Sequence, residues 1–534
     1  MNVTLLIGAI VIVACVLCNR LANKIGMPLL VMFIALGMIF GSDGLLKIPF
    51  DDFSFAEQIC SAALIFIMFY GGFGTKWSEA KPVAVPSVLL SSLGTVLTAV
   101  LTGLITWLIL GFDMWEGLLV GAVLSSTDAA SVFSILRTKK LNLKYRTASM
   151  LEMESGSNDP FAYMLTVLVL TFMNGSGGGS IAYDIFAQIV YGVGFGVIFG
   201  VAASWFMRHY NFEGEGFDAI FVFAVAVLAY VIPVMLGGNG YLSTYLAGII
   251  LGNTKIGAKK RLVHFFDGVT SLMQVLIFFL LGLLCFPSHM PGMLPWAIGI
   301  ALILTFVVRP LVVTLILKPF KATWPQIALV SWAGLRGASS IVFAIMATVS
   351  SVNTANDVFH IVFCIVLFSI VLQGSLLPWM SQKLKMVDES GNVMKTFNDY
   401  SDEREVQFIC SKIGSSHPWC GKYLNEIETP TDILMVMIRR GKERLIPRGE
   451  TYLEKGDEVV MCASEYQAKK GEELHLVEVI IDAEHQWRDK ELHELGLDQE
   501  TLILMIQRGE ETIIPRGNTK ICEGDMVVVR EYNK

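Results

Sequence analysis

Charged residues are the scarcest class in this sequence: Asp, Glu, Lys and Arg make up 16 % of it, where a soluble globular chain carries about 25 %. The shortage is confined to one part. Up to Lys385 there are 21 Lys and Arg and 17 Asp and Glu, against 19 and 30 in the remainder, so the first part carries +4 and the tail −11. Such a split implies two physical environments along one chain. The acidic tail argues against nucleic acid as a partner.

Paired cysteine motifs are also missing. Nine cysteines are scattered, and Cys15 and Cys18 form a single CxxC in an apolar run with no second pair, so core-filling thiols are expected and not a metal or redox site. No HExxH, Gly-x-Ser-x-Gly or Walker sequence occurs, which argues against the enzyme and ATP-driven classes those motifs mark. No catalytic residue, metal or resident cofactor is expected. The one Gly-x-Gly-x-Gly run, Gly192 to Gly196, has no strand before it and reads as helix packing. No basic region precedes the first apolar run, Val3 to Cys18, and no small-residue cleavage site follows it; an uncleaved span is expected.

Long apolar runs fill the space that charge leaves. A helical span needs about 20 mostly apolar residues. About thirteen such runs can be read, with approximate limits 2–19, 26–42, 56–74, 82–110, 115–137, 147–174, 181–208, 217–237, 241–253, 267–287, 292–318, 325–350 and 357–383. Basic residues check this count independently. With the N-terminus outside, the cytoplasmic loops hold 18 of them: Arg20, Lys24, Lys76, Lys81, Arg137, Lys139, Lys140, Lys144, Arg146, Arg208, Lys255, Lys259, Lys260, Arg261, Lys318, Lys321, Lys383 and Lys385. The outer loops hold only Lys47. The expectation is a multi-pass protein of the cytoplasmic membrane with its C-terminus inside.

Ionisable residues near the bilayer centre are costly and mark function by default. In the fifth run, Ser125-Ser126-Thr127-Asp128-Ala129-Ala130-Ser131 interrupts the apolar pattern. Small hydroxyl residues can re-satisfy a broken helix, whose freed carbonyls can face an ion. A packing stripe would explain the serines but not Asp128. In the sixth run, Glu152-Met153-Glu154-Ser155-Gly156-Ser157-Asn158-Asp159-Pro160 places Asp159 about 12 residues past the cytoplasmic loop, roughly 18 Å deep. Helical spacing puts Glu154, Ser155, Asn158 and Asp159 on one side. A carboxylate at that depth is a proton site, and a bound cation competes with the proton. That competition is the chemistry an exchanger needs.

In the twelfth run, Gly334-Leu335-Arg336-Gly337-Ala338-Ser339-Ser340 puts a permanently charged guanidinium among small residues, where it must be paired. By elimination its partner is Glu154, in a structural ion pair; direct anion binding by Arg336 is the alternative. The polar breaks in runs five and twelve are seven runs apart. Two inverted six-helix repeats, runs 1–6 and 8–13, would make them equivalent, and crossed broken helices at a repeat interface build midplane ion sites.

Thr127-Asp128-Ala129, the Glu154-Ser155 and Asn158-Asp159 pairs, and Gly334-Leu335-Arg336-Gly337 resemble the motifs of the NhaP-type cation/proton antiporters, over the whole membrane part. The resemblance implies that Asp159 is the carboxylate shared by cation and proton. It implies that Thr127, Asp128, Ser155 and Asn158 complete the cation site, and that Glu154 and Arg336 are the stabilising pair. Asn158, in place of a second Asp, resembles the electroneutral branch. The family works as a dimer, each protomer moving an ion-binding core against a dimerisation domain. One departure is Gly156-Ser157, where larger aliphatic residues are expected before the Asn; it implies a roomier site.

From about Met386 the pattern is that of a soluble domain, and a repeat appears at an offset of 68 residues. The stretch from Met437 aligns without a gap on that from Met505: Pro447-Arg448-Gly449 falls on Pro515-Arg516-Gly517 and Gly456-Asp457 on Gly524-Asp525; upstream of it, Trp419 falls on Trp487. Each unit alternates short apolar strands with Gly-rich turns and one short helix. The expected organisation is a membrane domain over 1–385, a linker over 386–402, and tail units over 403–470 and 471–534.

The tail units resemble the TrkA-C subdomain of regulator-of-K+-conductance proteins. That implies a small regulatory ligand at a dimer interface, cyclic di-AMP being one such nucleotide, with Arg448 and Arg516 as equivalent candidate contacts. It also implies a potassium system, so K+/H+ exchange is the first expectation and Na+/H+ exchange the alternative. An ion channel is the rival from another class, but no filter repeated by symmetry is visible. The expected fold is a polytopic α-helical membrane protein with inverted six-helix repeats and broken crossing helices, followed by a soluble α+β tandem repeat. Expected partners are K+ or Na+, H+, membrane lipid and a second copy of the chain.

Overall fold

Apolar runs have no side chains with which to satisfy their own backbone, and here they solve this as helices. The computed structural model describes residues 8–17, 29–128, 131–132, 135–136, 141–175, 181–210, 216–256, 259–350, 352, 354–388, 406–415, 417–427, 433–441, 443–464, 476–482, 485–496, 502–508, 511–513, 515 and 517–530. Cys18, Arg20, Lys24, Ala129, Ala130, Arg137, Lys139, Lys140 and Arg516, on which some expectations above rest, lie outside the described residues. The chain forms two compact units, divided between Ser401 and Asp402.

In the first unit, 7 helices among the described residues are long and apolar enough to cross a membrane. They are α3 (Phe53–Gly74), α4 (Lys81–Leu110), α7 (Ile181–His209), α8 (Phe217–Met235), α10 (Lys259–Leu284), α11 (Met290–Phe320) and α14 (Val358–Lys383). Shorter apolar helices are α1 (Gly8–Leu17), α2 (Leu29–Phe40), α5 (Met114–Val123), α9 (Gly240–Gly252) and α13 (Ala338–Val349). α6 (Thr147–Met173) has the length but carries Glu152, Glu154 and Asp159. α12 (Trp324–Trp332) runs towards α13.

Two features of this unit position the site. The first is close backbone packing around α9. A Cβ on Gly248 would lie 2.3 Å from the Phe69 carbonyl oxygen of α3, and Gly192 and Gly196 of α7 lean on Asn239 and Ser243 in the same manner. The glycine run of α7 is therefore a packing surface. The second is two helix breaks: α5 gives way to non-helical chain through Asp128, and α12 to non-helical chain up to Gly337. π-helical turns occur nearby at Leu304–Val308 in α11 and Ser369–Gly374 in α14, a local distortion frequent at functional sites. They join through Gln373, whose Nε2 donates to Thr305 at 2.9 Å and whose Oε1 accepts from Ser369 Oγ.

The second unit holds two four-stranded antiparallel sheets of the same topology. β1 (Val406–Lys412), β2 (Ile433–Arg440), β3 (Glu443–Leu445) and β4 (Glu458–Ser464) lie in the order β1-β4-β2-β3. β5 (Leu476–Ile480), β6 (Leu502–Arg508), β7 (Glu511–Ile513) and β8 (Met526–Arg530) lie in the order β5-β8-β6-β7. The repeat extends to the polar contact of a buried carboxylate. Arg440 donates through Nε and Nη2 to Asp457, both at 2.8 Å, and Arg508 does the same to Asp525. These bonds hold each carboxyl below its usual range. A carboxyl so lowered adds stability at neutral pH that is lost as pH falls through its folded-state value.

Candidate ion site at the crossing of two broken helices

Breaking α5 leaves its last carbonyls without helical donors, and breaking α12 exposes Arg336. Each break solves the other's problem. Arg336 Nη1 donates to the Ser126 carbonyl at 2.8 Å and to the Leu124 carbonyl. A guanidinium at a helix C-terminus also meets the negative end of the helix dipole. The Asp128 N–H donates to the Leu335 carbonyl at 2.8 Å, tying the two unwound segments together, and the Arg336 N–H donates to Ser369 Oγ at 3.1 Å. Gly337 is required at the crossing: a Cβ there would lie 2.4 Å from Cβ of Asp128.

Asp159 of α6 meets this crossing. It is 5 % exposed, and its Oδ1 accepts from Ser126 Oγ of the first break and, at 3.0 Å, from Ser339 Oγ at the start of α13. The N-terminal end of a half-helix thus faces a carboxylate, as the dipole favours. Beside it, Asn158 Nδ2 donates to Thr127 Oγ1 at 2.6 Å, and Thr127 Oγ1 and Ser155 Oγ are 2.9 Å apart. Asn158 Oδ1 has no hydrogen-bond partner among the described residues. Thr127, Ser155, Asn158 and Asp159 are therefore brought together. Asp128 adjoins them, but its carboxylate is turned to Ser131, whose Oγ donates to Oδ2 and whose N–H lies 3.3 Å from Oδ1.

The ion pair expected between Glu154 and Arg336 is corrected by the structure. Glu154 is paired with Arg309 of α11, whose Nη2 lies 2.5 Å from Oε1, and both side chains are buried. Arg336 is instead satisfied by carbonyls of the broken α5. Gly334 makes room for the true pair, since a Cβ there would lie 2.6 Å from Arg309 Nε. The sequence carried a signal for Arg309: it stands inside the apolar run 292–318, nine residues before Lys318, and intramembrane arginine is itself a flag. Ser126 and Ser339, the two hydroxyls on Asp159, sit within the polar breaks, but spacing alone does not single them out from the serines beside them.

Away from this crossing, one ligand atom from each of His289, Asp357 and His360 lies within 4.8 Å of the others. His360 Nε2 accepts the Phe286 N–H at 3.1 Å, so its proton is on Nδ1, 2.6 Å from Asp357. Both imidazole nitrogens are thereby committed. In the tail, Arg448 is exposed and its N–H donates to Thr451 Oγ1 at 3.0 Å.

The family profile described as "Sodium/hydrogen exchanger, transmembrane" matches residues 9–383, and that of the TrkA-C domain matches 411–471 and 476–530. The chain is 33 % identical over 479 residues to the K(+)/H(+) antiporter NhaP2 of Shewanella oneidensis, covering 86 % of this chain and 81 % of that one. It is 32 % identical over 469 residues to the K(+)/H(+) antiporter NhaP of Alkalimonas amylolytica, with the same coverage. The Na(+)/H(+) antiporter ApNhaP of Aphanothece halophytica is 24 % identical over 384 residues, covering 69 % of this chain and 71 % of its own. The solved structure of the sodium proton antiporter MjNhaP1 from Methanocaldococcus jannaschii at pH 8 has a TM-score of 0.64 at 24 % identity and covers 72 % of this chain and 99 % of that one, which shows the fold. The chain belongs to the sodium/hydrogen exchanger family, as a multi-pass cation/proton antiporter of the NhaP type with TrkA-C domains behind its membrane part.

Proposed function

We propose that the protein exchanges K+ for H+ across the cytoplasmic membrane by alternating access, with Asp159 holding either ion in turn. The observation that carries this is the buried acid Asp159 at the crossing, bonded by Ser126 and Ser339, with Asn158, Ser155 and Thr127 beside it. One carboxylate holds a proton or a cation but not both, so binding of one expels the other. K+ is preferred because the relatives named K(+)/H(+) antiporters match over 86 % of the chain, tail included, while ApNhaP and MjNhaP1, named for sodium, match over 69 % and 72 %. In this reading thirteen spans cross the bilayer, the N-terminus is outside and the C-terminus inside, and two protomers pair within lipid. Dequenching of a pH-sensitive dye in everted vesicles, with K+, Na+, Rb+ and Li+ added separately, tests the ion. A response to Na+ and none to K+ replaces the potassium reading with the sodium one.

Exchange is electroneutral in this proposal. Asn158→Asp keeps a fold in which Thr127 can donate to the new carboxylate, but adds a second titrating acid beside Asp159. The pair then titrates as a coupled unit, and exchange becomes sensitive to voltage. Wild-type exchange that itself generates a membrane potential contradicts the electroneutral reading.

The TrkA-C tail acts as a regulator outside the ion path, with a nucleotide such as cyclic di-AMP as a candidate ligand and Arg448 and Arg516 as candidate contacts. A chain ending at Ser401, the boundary of the membrane unit, keeps exchange but loses its response to cytoplasmic pH or nucleotide. Coupling of this kind is worth about 1–3 kcal/mol, or a 5–150-fold change. A truncated protein that inserts yet is inactive in every condition shows the tail to be essential and not regulatory.

A further inference from the structure

Gly156 lies one turn before Asp159, about 60° round the helix from it. The room it leaves is occupied: a Cβ there would lie 3.0 Å from Tyr245 Oη. Tyr245 belongs to α9, held against α3 by the close approach of Gly248 and Phe69, and is 3 % exposed. Its hydroxyl faces Thr75 and Ser157, yet meets no partner in hydrogen-bond geometry among the described residues. Both neighbours donate their protons to backbone carbonyls, Thr75 Oγ1 to Gly71 at 3.1 Å and Ser157 Oγ to Met153 at 2.5 Å. Their lone pairs remain. Pro160 has no N–H, so the Gly156 carbonyl lacks its helical donor.

We propose that Tyr245 is a specificity-determining residue: its hydroxyl, beside the Thr75 and Ser157 hydroxyl oxygens, takes a partly dehydrated cation passing to or from Asp159 and favours K+ over Na+. The inference rests on the exchanger reading of Asp159. Neutral oxygens form a weak field, and ligand number and field strength are one basis of K+/Na+ discrimination. Tyr245→Phe keeps the ring over Gly156 and removes only the oxygen. In proteoliposomes of the full chain, the maximal rate is retained and the K+ concentration for half-maximal exchange rises about fivefold, the scale of one lost polar contact, with Na+ less affected. Gly156→Ala displaces the same hydroxyl, so it shifts the K+/Na+ ratio in the same direction and adds nothing in the Tyr245→Phe background. An unchanged ratio in Tyr245→Phe overturns the assignment, as does an equal fall in rate for both ions at unchanged half-saturation. Wild-type vesicles without cation-coupled proton movement overturn the exchanger reading as well.

After α14 the chain pairs with the loop that leads into α6: Leu143 and Val387 form an antiparallel bridge. The Lys144 N–H donates to the Met386 carbonyl at 2.8 Å, and the Asp388 N–H to the Asn142 carbonyl at 2.9 Å. Lys144 Nζ donates to the Lys385 carbonyl at 3.1 Å, and the Lys144 carbonyl accepts from Thr147 Oγ1, at the first residue of α6, at 2.7 Å. Tyr145 and Arg146 between them both have positive φ, 57° and 54°, a costly conformation for residues other than glycine. The strand that leaves for the tail is thus fastened to the start of the helix that carries Asp159.

We infer that residues 386–388 transmit the state of the tail to α6; this rests on the tail's regulatory reading. Asp388→Pro removes the N–H that bonds Asn142, and Asp388→Ala keeps it. In full-length protein, Asp388→Pro moves the profile of exchange against cytoplasmic pH onto that of the chain ending at Ser401, and Asp388→Ala, which removes only the side chain's own contacts, moves it less. If truncation shifts the profile and Asp388→Pro does not, the strap is overturned and the regulatory tail stands. If truncation shifts nothing, with or without cyclic di-AMP, both are overturned.

Discussion

Asp159→Asn abolishes exchange while the protein still inserts and folds. The amide keeps an oxygen that Ser126 and Ser339 can donate to, so the crossing of α5 and α12 retains its contacts. What is lost is the charge that binds a cation and the site that takes a proton. Among the described residues the neighbouring acids are otherwise engaged: Glu154 with Arg309 and Asp128 with Ser131. The measurement is cation-driven proton movement in everted vesicles, with the amount of inserted protein matched. Exchange above about a tenth of wild type, a loss of under about 1.4 kcal/mol in activation terms, means the carboxylate is not shared by the two ions.

Arg309→Ala is the most destabilising single change expected in the membrane unit. It leaves Glu154, 1 % exposed, as an uncompensated buried charge, and breaking a buried pair in this manner costs about 3–5 kcal/mol. Removing both partners, as Glu154→Ala with Arg309→Ala, recovers much of that loss. Arg336→Ala also destabilises, by unfastening α5 from α12, but Glu154→Ala does not rescue it, because Arg336 bonds carbonyls and not Glu154. Thermal denaturation of the purified variants in detergent separates the cases. Rescue of Arg336→Ala by Glu154→Ala, without rescue of Arg309→Ala, reverses the assignment made from the structure.

The exchange of partners at Glu154 has a physical reason. In a helix of known depth, spacing along the chain says which residues share a face, and Ser155, Asn158 and Asp159 all meet the broken α5. It does not say which distant helix lies against that face. Arg309 and Arg336 are both intramembrane guanidiniums, and pairing by elimination failed because Arg309 was not among the candidates. An arginine can also be satisfied by carbonyls when a neighbouring helix is broken, which no carboxylate count along the chain reveals.

The sequence by itself determined the division into an apolar membrane part and an acidic tail, since burial in lipid and solvation in water demand opposite compositions. It determined the breaks near Asp128 and Arg336, where small polar residues interrupt apolar runs. It determined the tail repeat, down to the equivalence of Asp457 and Asp525. Only the tertiary structure decided that Ser126 and Ser339 bond Asp159, that Arg309 neutralises Glu154, that Tyr245 fills the room over Gly156, and that the strand after α14 is fastened to the start of α6. Each of these joins residues from 33 to 246 positions apart by number, and such contacts are fixed by how helices pack in space, a quantity that local spacing and composition do not contain.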